Sequence, residues 1–216
     1  MATVSVHRRP RVAVVTTGSE LRPVDAPPEP GTIVNSNAYA LAAQITRAGG
    51  QPIVLDTAHD DVDAIAARIQ AGLANADALV TVGGVSVGEH DLVHAALGKL
   101  GIEVALWKVA MKPGKPLTFA LAGAVPIVGL PGNPVSASVA FEVFVRPGLR
   151  IQLGDRRPFP APVPAELTAP SRGSPAAPSS CAQRSLQCWT ARTPPRPSRS
   201  RAREPFRRSR PPTRSW

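Results

Sequence analysis

Only two of the 216 residues are cysteine, Cys181 and Cys188, and both fall in a stretch without apolar periodicity. Two such thiols support neither a disulfide framework nor a zinc site. Lysine is also scarce, with four in the chain, and aromatic residues make up 4%. Long apolar runs are missing. The longest are strand-sized, RVAVVT at 11–16 and ALVTV at 78–82, whereas a membrane-spanning helix needs about 20 residues. The opening MATVSVHRRPR has basic residues but no apolar run before a small-residue cleavage site. No signal peptide is read there, and a cytoplasmic, reducing setting is expected. No HExxH motif, G-x-S-x-G elbow or Ser-His-Asp arrangement is found. His90 and His94 are spaced i, i+4, but Glu89 precedes the pair; with His59 they read as surface residues.

The net charge of +10 belongs to one end of the chain. Residues 1–170 carry four Lys and ten Arg against fourteen acids, and are neutral. Residues 171–216 carry eleven Arg and a single acid, Glu204. The neutral part is therefore not a basic nucleic-acid binder by composition. The last 46 residues hold nine Ser and eight Pro, and their large apolar residues are Leu186, Trp189, Phe206 and Trp216. So little burial cannot offset the entropy of ordering, and disorder is expected. The 43% apolar content of the whole chain suffices for a packed core before that point.

Periodicity organises residues 11–150. The β-branched run Arg11–Thr16 reads as a strand buried on both faces, followed by the loop TGSEL. Pro23–Gly31 has four prolines and reads as an irregular connection. Asn35 or Ser36 suits an N-cap for a helix through Ala48, which Gly49-Gly50 stops. A strand is expected over Gln51–Ala58. Asp60 or Asp61 then caps a helix whose apolar face is Val62, Ile65, Ala66, Ile69 and Leu73. Ala78–Val82 is a third strand, ending in Gly83-Gly84. A helix follows from about His90 to Leu100, and Glu103–Val109 is extended. Met111–Pro116 is a turn, and Leu117–Leu121 and Val125–Leu130 are strands. After the PGNP turn, Val135–Val145 is an apolar helix. Pro158–Pro170 contains a possible β segment, VPAEL. Strands alternating with helices imply a doubly wound, mainly parallel α/β sheet. Such sheets bind ligands at the carboxyl ends of their strands.

Three strand-end loops carry unusual residues: TGSEL, GGVSVGEHD and PGNP. Glycines after a strand let backbone N–H groups approach an anion, and a helix N-terminus adds its dipole. Ser86 can add a hydroxyl. The competing reading is a tight turn with Asp91 as a cap. Glu20, Asp60 and Asp91 follow strands at one expected edge; together they suit a hard cation, and singly they suit helix capping. Three of the four lysines, Lys108, Lys112 and Lys115, fall within eight residues, which suits an oxyanion better than a random solvated face. PGNP either clamps a planar ligand or only turns the chain.

TTGSEL, IVNSNAYAL, GGVSVGEHD, WKVAMKPGKP and GLPGNPVSA, in that order, resemble the MoeA family of molybdopterin molybdenumtransferases, which includes the gephyrin E domain. The resemblance covers about Arg11–Arg150. Related MogA/MoaB proteins share the fold but carry a GGTG-type loop and lack the MKPGKP and PGNPVSA segments. The resemblance implies insertion of molybdate into adenylylated molybdopterin with release of AMP and use of Mg²⁺. It implies reacting groups at Glu20, Asp60, Asp91, Lys108 and Lys112, with Mg²⁺ on Asp60 and Asp91. Substrate contacts would come from Thr17, Gly18, Gly83, Gly84, Ser86, Lys115, Pro131, Gly132, Asn133 and Pro134.

The sequence departs from that pattern at both ends. Family members carry two domains before this one, which build the dimer and part of the cleft; about ten residues precede the first strand here. A start site or fragment boundary at residue 1 is expected. The family's C-terminal β domain is expected to survive only as a remnant over 151–170. The Arg/Pro/Ser tail after it resembles a GC-rich gene read out of frame. Two other readings remain at this stage: a binding-only molybdopterin module, and a nucleic-acid-associated protein using its basic tail. The tail has few aromatics for base stacking and no RGG repeat.

Overall fold

The computed structural model describes residues 3–84 and 91–164. Ser86, Glu89 and His90, most of the VPAEL segment, and the 171–216 tail lie outside the described residues. The elements, in order, are β1 (Arg11–Thr16), β2 (Leu21–Arg22), β3 (Ile33–Val34), α1 (Ser36–Arg47), β4 (Gln51–Val54), α2 (Val62–Leu73) and β5 (Ala78–Val82). They continue as α3 (Leu92–Lys99), β6 (Val104–Trp107), β7 (Thr118–Ala122), β8 (Val125–Leu130), α4 (Pro134–Ala140), a π-helical turn (Phe141–Val145) and α5 (Arg146–Gln152).

Six strands form one sheet in the order β4-β1-β5-β8-β7-β6. β4, β1, β5 and β8 are parallel, and β7 runs against both its neighbours. Alternation along β1 explains the two layers. Val12 and Val14 face Leu41 and Ile45 of α1, Ala137 and Ala140 of α4, and Phe141 and Leu149. Ala13 and Val15 face Ile65 and Ile69 of α2 and Val93 and Leu97 of α3. Because both faces are covered, β1 and β5 read as unbroken apolar runs. The expected doubly wound sheet is therefore the observed one, with a single antiparallel strand.

Local differences have local causes. The strand expected over Gln51–Ala58 ends at Val54, with only an isolated parallel bridge between Thr17 and Ala58 beyond it. Asn35, not Ser36, caps α1, its side chain accepting from the Ala38 N–H. Asp61, not Asp60, caps α2, accepting from the Ala64 N–H. The proline-rich connection contains the small parallel pair β2–β3, too short to leave a periodic signal. The helix expected to end at Val145 continues to Gln152. The π turn shifts its register directly before Pro147, which has no N–H to give to the helix that continues through it. Residues 155–164 contain no strand.

Candidate functional site at the carboxyl edge of the sheet

The ends of β1, β5 and β8 open into one cleft, as strand direction requires. A cavity of about 330 Å³ is lined by Thr17, Gly18, Glu20, Asp60, Gly83, Gly84, Gly132 and Pro134, with Asn35, Ser36 and Asn37 at the start of α1. A second cavity of about 510 Å³ shares Gly18, Leu21 and Asn35 with it and extends between α1 and the end of β4. Tyr39, the only tyrosine in the chain, and His59 stand on its walls.

The glycine pair is dictated by backbone geometry. Gly83 and Gly84 have φ of +87° and +62°, in the left-handed region. A Cβ on Gly83 would sit 2.6 Å from the Thr17 carbonyl oxygen, and one on Gly84 would sit 2.8 Å from Thr17 Oγ1. The turn after β5 thus packs directly on the turn after β1. The Thr17 N–H donates to the Val82 carbonyl at 2.9 Å, while the Thr17 hydroxyl is buried without a hydrogen-bond partner. Gly132 is different: it is exposed, and a Cβ there would meet only Gly83 Cα, at 3.5 Å.

The first turn of α1 joins the cleft through a small polar network. Asn35 Nδ2 donates to Thr16 Oγ1 at 2.8 Å and to Thr57 Oγ1 at 3.1 Å. Asn37 Nδ2 donates to the Gly132 carbonyl at 2.7 Å. Asp60 and Ser19 exchange hydrogen bonds between side chain and backbone, tying the β1 and β4 loops together. Ser19, Asn37 and Tyr39 are not among the site residues expected from sequence, and His59, which reads as a surface residue there, lines a cavity wall. The sequence signals were the TGSEL loop for Ser19 and, for Asn37 and Tyr39, the NSNAY stretch with two asparagines at the start of a helix.

The cleft brings Glu20 and Asp60 together with Thr17, Gly18, Gly83, Gly84, Gly132 and Pro134. It does not bring in Asp91. That carboxylate is 8% exposed and caps α3, with Oδ1 accepting from the His94 N–H at 2.9 Å and Oδ2 from Trp107 Nε1 at 3.2 Å. Lys108, Lys112 and Lys115 also lie outside this lining. Lys112 and Lys115 are exposed, and Lys108 Nζ lies 3.5 Å from the centre of the Trp107 ring. Asn133 caps α4, its Oδ1 accepting from the Val135 and Ser136 N–H groups, so its oxygen is committed to the turn. Pro131 is buried. His94 is half-buried against Trp107 rather than a plain surface residue.

Among the described residues, no group of three or more His, Cys, Asp or Glu side chains could hold a metal ion. Two carboxylates, Glu20 and Asp60, do share the cleft. A pair fits Mg²⁺, which commonly takes one or two carboxylates and completes its shell with substrate phosphate and water. No helix among the described residues is long and apolar enough to cross a membrane.

Comparison with known proteins gives this geometry a family. Residues 13–151 match the family described as probable molybdopterin binding domain. The chain is 45% identical over 150 residues to the molybdopterin molybdenumtransferase of Nostoc, covering 68% of this chain and 34% of that protein. It is 41% identical over 167 residues to the Bacillus subtilis enzyme of that name, covering 77% and 39%. Among solved structures, a molybdopterin biosynthesis MoeA protein from Pyrococcus superposes with a TM-score of 0.63 at 34% identity, over 68% of this chain and 36% of that one. Molybdenum cofactor biosynthesis protein B shares the fold, with a TM-score of 0.51 at 15% identity, 70% of this chain and 98% of that one. The chain thus spans between a third and two fifths of the length of these molybdenumtransferases. Its sheet, its glycine-lined cleft and the match over 13–151 place it in one family: the chain belongs to the molybdopterin-binding domain family of molybdenum cofactor biosynthesis proteins.

Proposed function

We propose that this domain binds the phosphate-bearing end of molybdopterin in the cleft between the β1, β5 and β8 turns. The observation that carries the reading is that Gly83, Gly84 and Gly132 line one cavity with Thr17 and Gly18 at the strand ends, so that backbone forms much of the wall an anion would meet. The neighbouring cavity toward Tyr39 leaves space for more of the molecule. Within a complete molybdenumtransferase, the activity is insertion of molybdate into adenylylated molybdopterin with release of AMP. Glu20 and Asp60 would hold a Mg²⁺ ion, which when bound neutralises phosphate charge. Lys108, Lys112 and Lys115 supply positive charge for an oxyanion beside the cleft. Gly18 keeps the β1 turn close to the Glu20 carboxylate, where a Cβ would meet it at 2.8 Å.

A binding-only reading is favoured by one observation. Asp91 and the three lysines stand apart from the groups that would hold the phosphate.

Titration calorimetry of the full chain with molybdopterin and with its adenylate tests the cleft. Gly132→Val is the informative variant, because it fills the mouth against Gly83 without forcing a left-handed residue. Affinity should fall about tenfold or more with an unchanged melting temperature, the expected effect of losing a snug contact of about 1.4 kcal/mol. Unchanged affinity would mean that the cleft is not the binding site.

A further inference from the structure

The indole of Trp107 touches two of the proposed site groups at once. Trp107 ends β6 at the outer edge of the sheet and is 42% exposed. Its Nε1–H donates to Asp91 Oδ2 at 3.2 Å. Its face carries the Lys108 ammonium 3.5 Å from the ring centre. The His94 ring meets it edge-on, with centroids 5.7 Å apart and planes at 81°.

Two features set this apart from an ordinary surface tryptophan. Capping α3 needs one oxygen of Asp91, the one that accepts from the His94 N–H; the other is aimed at the indole. Lys108 has φ of +67°, the only positive value among described non-glycine residues. The chain therefore adopts a conformation disfavoured for an L-residue where the lysine lies over its own neighbour. A lysine side chain has four rotatable bonds and wanders when solvated, whereas an indole has two and is rigid. A cation over its face is held by the ring quadrupole.

We propose that Trp107 is a positioning residue. Its N–H fixes the Asp91 carboxylate and its face fixes the Lys108 ammonium, so that an acid and a cation stand at a set spacing around one rigid ring. The inference rests on the proposed oxyanion role of Lys108 and on the reacting role that the family resemblance implies for Asp91. It explains how they can serve those roles from outside the phosphate cleft: they form a second cluster, organised around the end of β6, for an oxyanion approaching from that side.

The test uses NMR of the full chain with molybdate as the probe. Ring currents should move the ε-methylene protons of Lys108 upfield of those of Lys112 and Lys115. Trp107→Leu should remove that shift, and Trp107→Phe, which keeps a ring face but no N–H, should keep part of it. Half-saturation by molybdate, followed at Lys108, should rise about fivefold to tenfold in Trp107→Leu and less in Trp107→Phe, in line with a partly desolvated cation–π contact. A merely structural role for Trp107 would lower the melting temperature of both variants and leave the molybdate midpoint unmoved. Lys108 signals indistinguishable from those of Lys112 and Lys115, or equal midpoints in all three proteins, overturn the proposal. If molybdate moves no Lys108 signal in the wild type, the oxyanion role of Lys108 fails and the proposal with it. Molybdopterin binding at the glycine cleft is read separately by the Gly132→Val calorimetry.

Discussion

Asp60 and Ser19 hold each other reciprocally: the Ser19 N–H donates to Asp60 Oδ2 at 3.0 Å, and the Asp60 N–H donates to Ser19 Oγ at 3.1 Å. Forty-one residues separate them, and the pair closes one wall of the cleft. Each bond contributes about 0.5–1.5 kcal/mol. Ser19→Ala and Asp60→Ala should each lower stability by about that amount, and the double variant should lose less than the sum. Asp60→Asn keeps an acceptor oxygen and should lose less. Urea denaturation of the wild type, the two alanine variants and their double variant measures the coupling; strict additivity would show that the two bonds act independently, and no loss in either single variant would show that they do not join the loops.

Gly84 and Gly132 both look like ligand-side glycines in the sequence, yet only Gly84 should respond strongly to a methyl group. Gly84→Ala forces a left-handed residue, costing about 1–2 kcal/mol, and also presses on Thr17 Oγ1 and Val93 Cγ2. Gly132→Ala should change stability by no more than about 0.5 kcal/mol. Guanidinium midpoints for the two variants decide this; equal midpoints would contradict the packing of the glycine turn on Thr17.

Asp77 gives the fold an acid-sensitive fastening. A hydrogen bond from Arg8 is the largest influence on its carboxyl, with further help from the Arg11 N–H and the two guanidinium charges; together they hold it down to about 2 from an ordinary 3.8. A carboxyl that is more acidic in the folded state than in the unfolded chain contributes stability fully present above about pH 4 and lost as pH falls through about 2. Wild-type denaturation midpoints should therefore drop across that window. Asp77→Asn should be less stable at neutral pH and show a flatter profile. Parallel profiles for the two proteins would assign the acid sensitivity elsewhere.

Asp91 separates capping from chemistry. Asp91→Ala removes the α3 cap and should cost about 1–2 kcal/mol. Asp91→Asn can keep the bond from the His94 N–H through its amide oxygen, but turns an N–H₂ toward the Trp107 N–H. Its loss of stability should be smaller. In a complete molybdenumtransferase carrying this core, the same Asp→Asn change should lower turnover more than it raises the Michaelis constant. Full turnover at saturating Mg²⁺ would leave Asp91 with its capping role alone.

Much of the fold was legible because its signals are local. The β-branched runs of β1 and β5 announce strands buried on both sides, and Val62, Ile65, Ala66 and Ile69 announce the buried face of α2. The antiparallel course of β7 was not legible, since strand direction depends on pairing across the sheet. Nor was the π turn, where Phe141 and Val145 keep their apolar character while the hydrogen-bond register shifts. In the site, glycines and loops pointed to the right edge. The partners of individual side chains stayed hidden because they are made by residues far apart in sequence. Asn133 reads as a free amide until Val135 and Ser136 are seen to use it, and Trp107 reads as one more strand residue until Asp91 arrives beneath it.

The reversal of β7 on β8 has a practical consequence. Their connecting turn at Gly123 lies at the edge of the sheet opposite the cleft, and a Cβ at Gly123 would meet nothing within 4 Å. A fluorophore or affinity handle attached there, on an insert of a few residues, would report on the domain while leaving the cleft and the Trp107 cluster untouched. Immobilised through that turn, the protein would present its whole ligand-facing edge outward to solution.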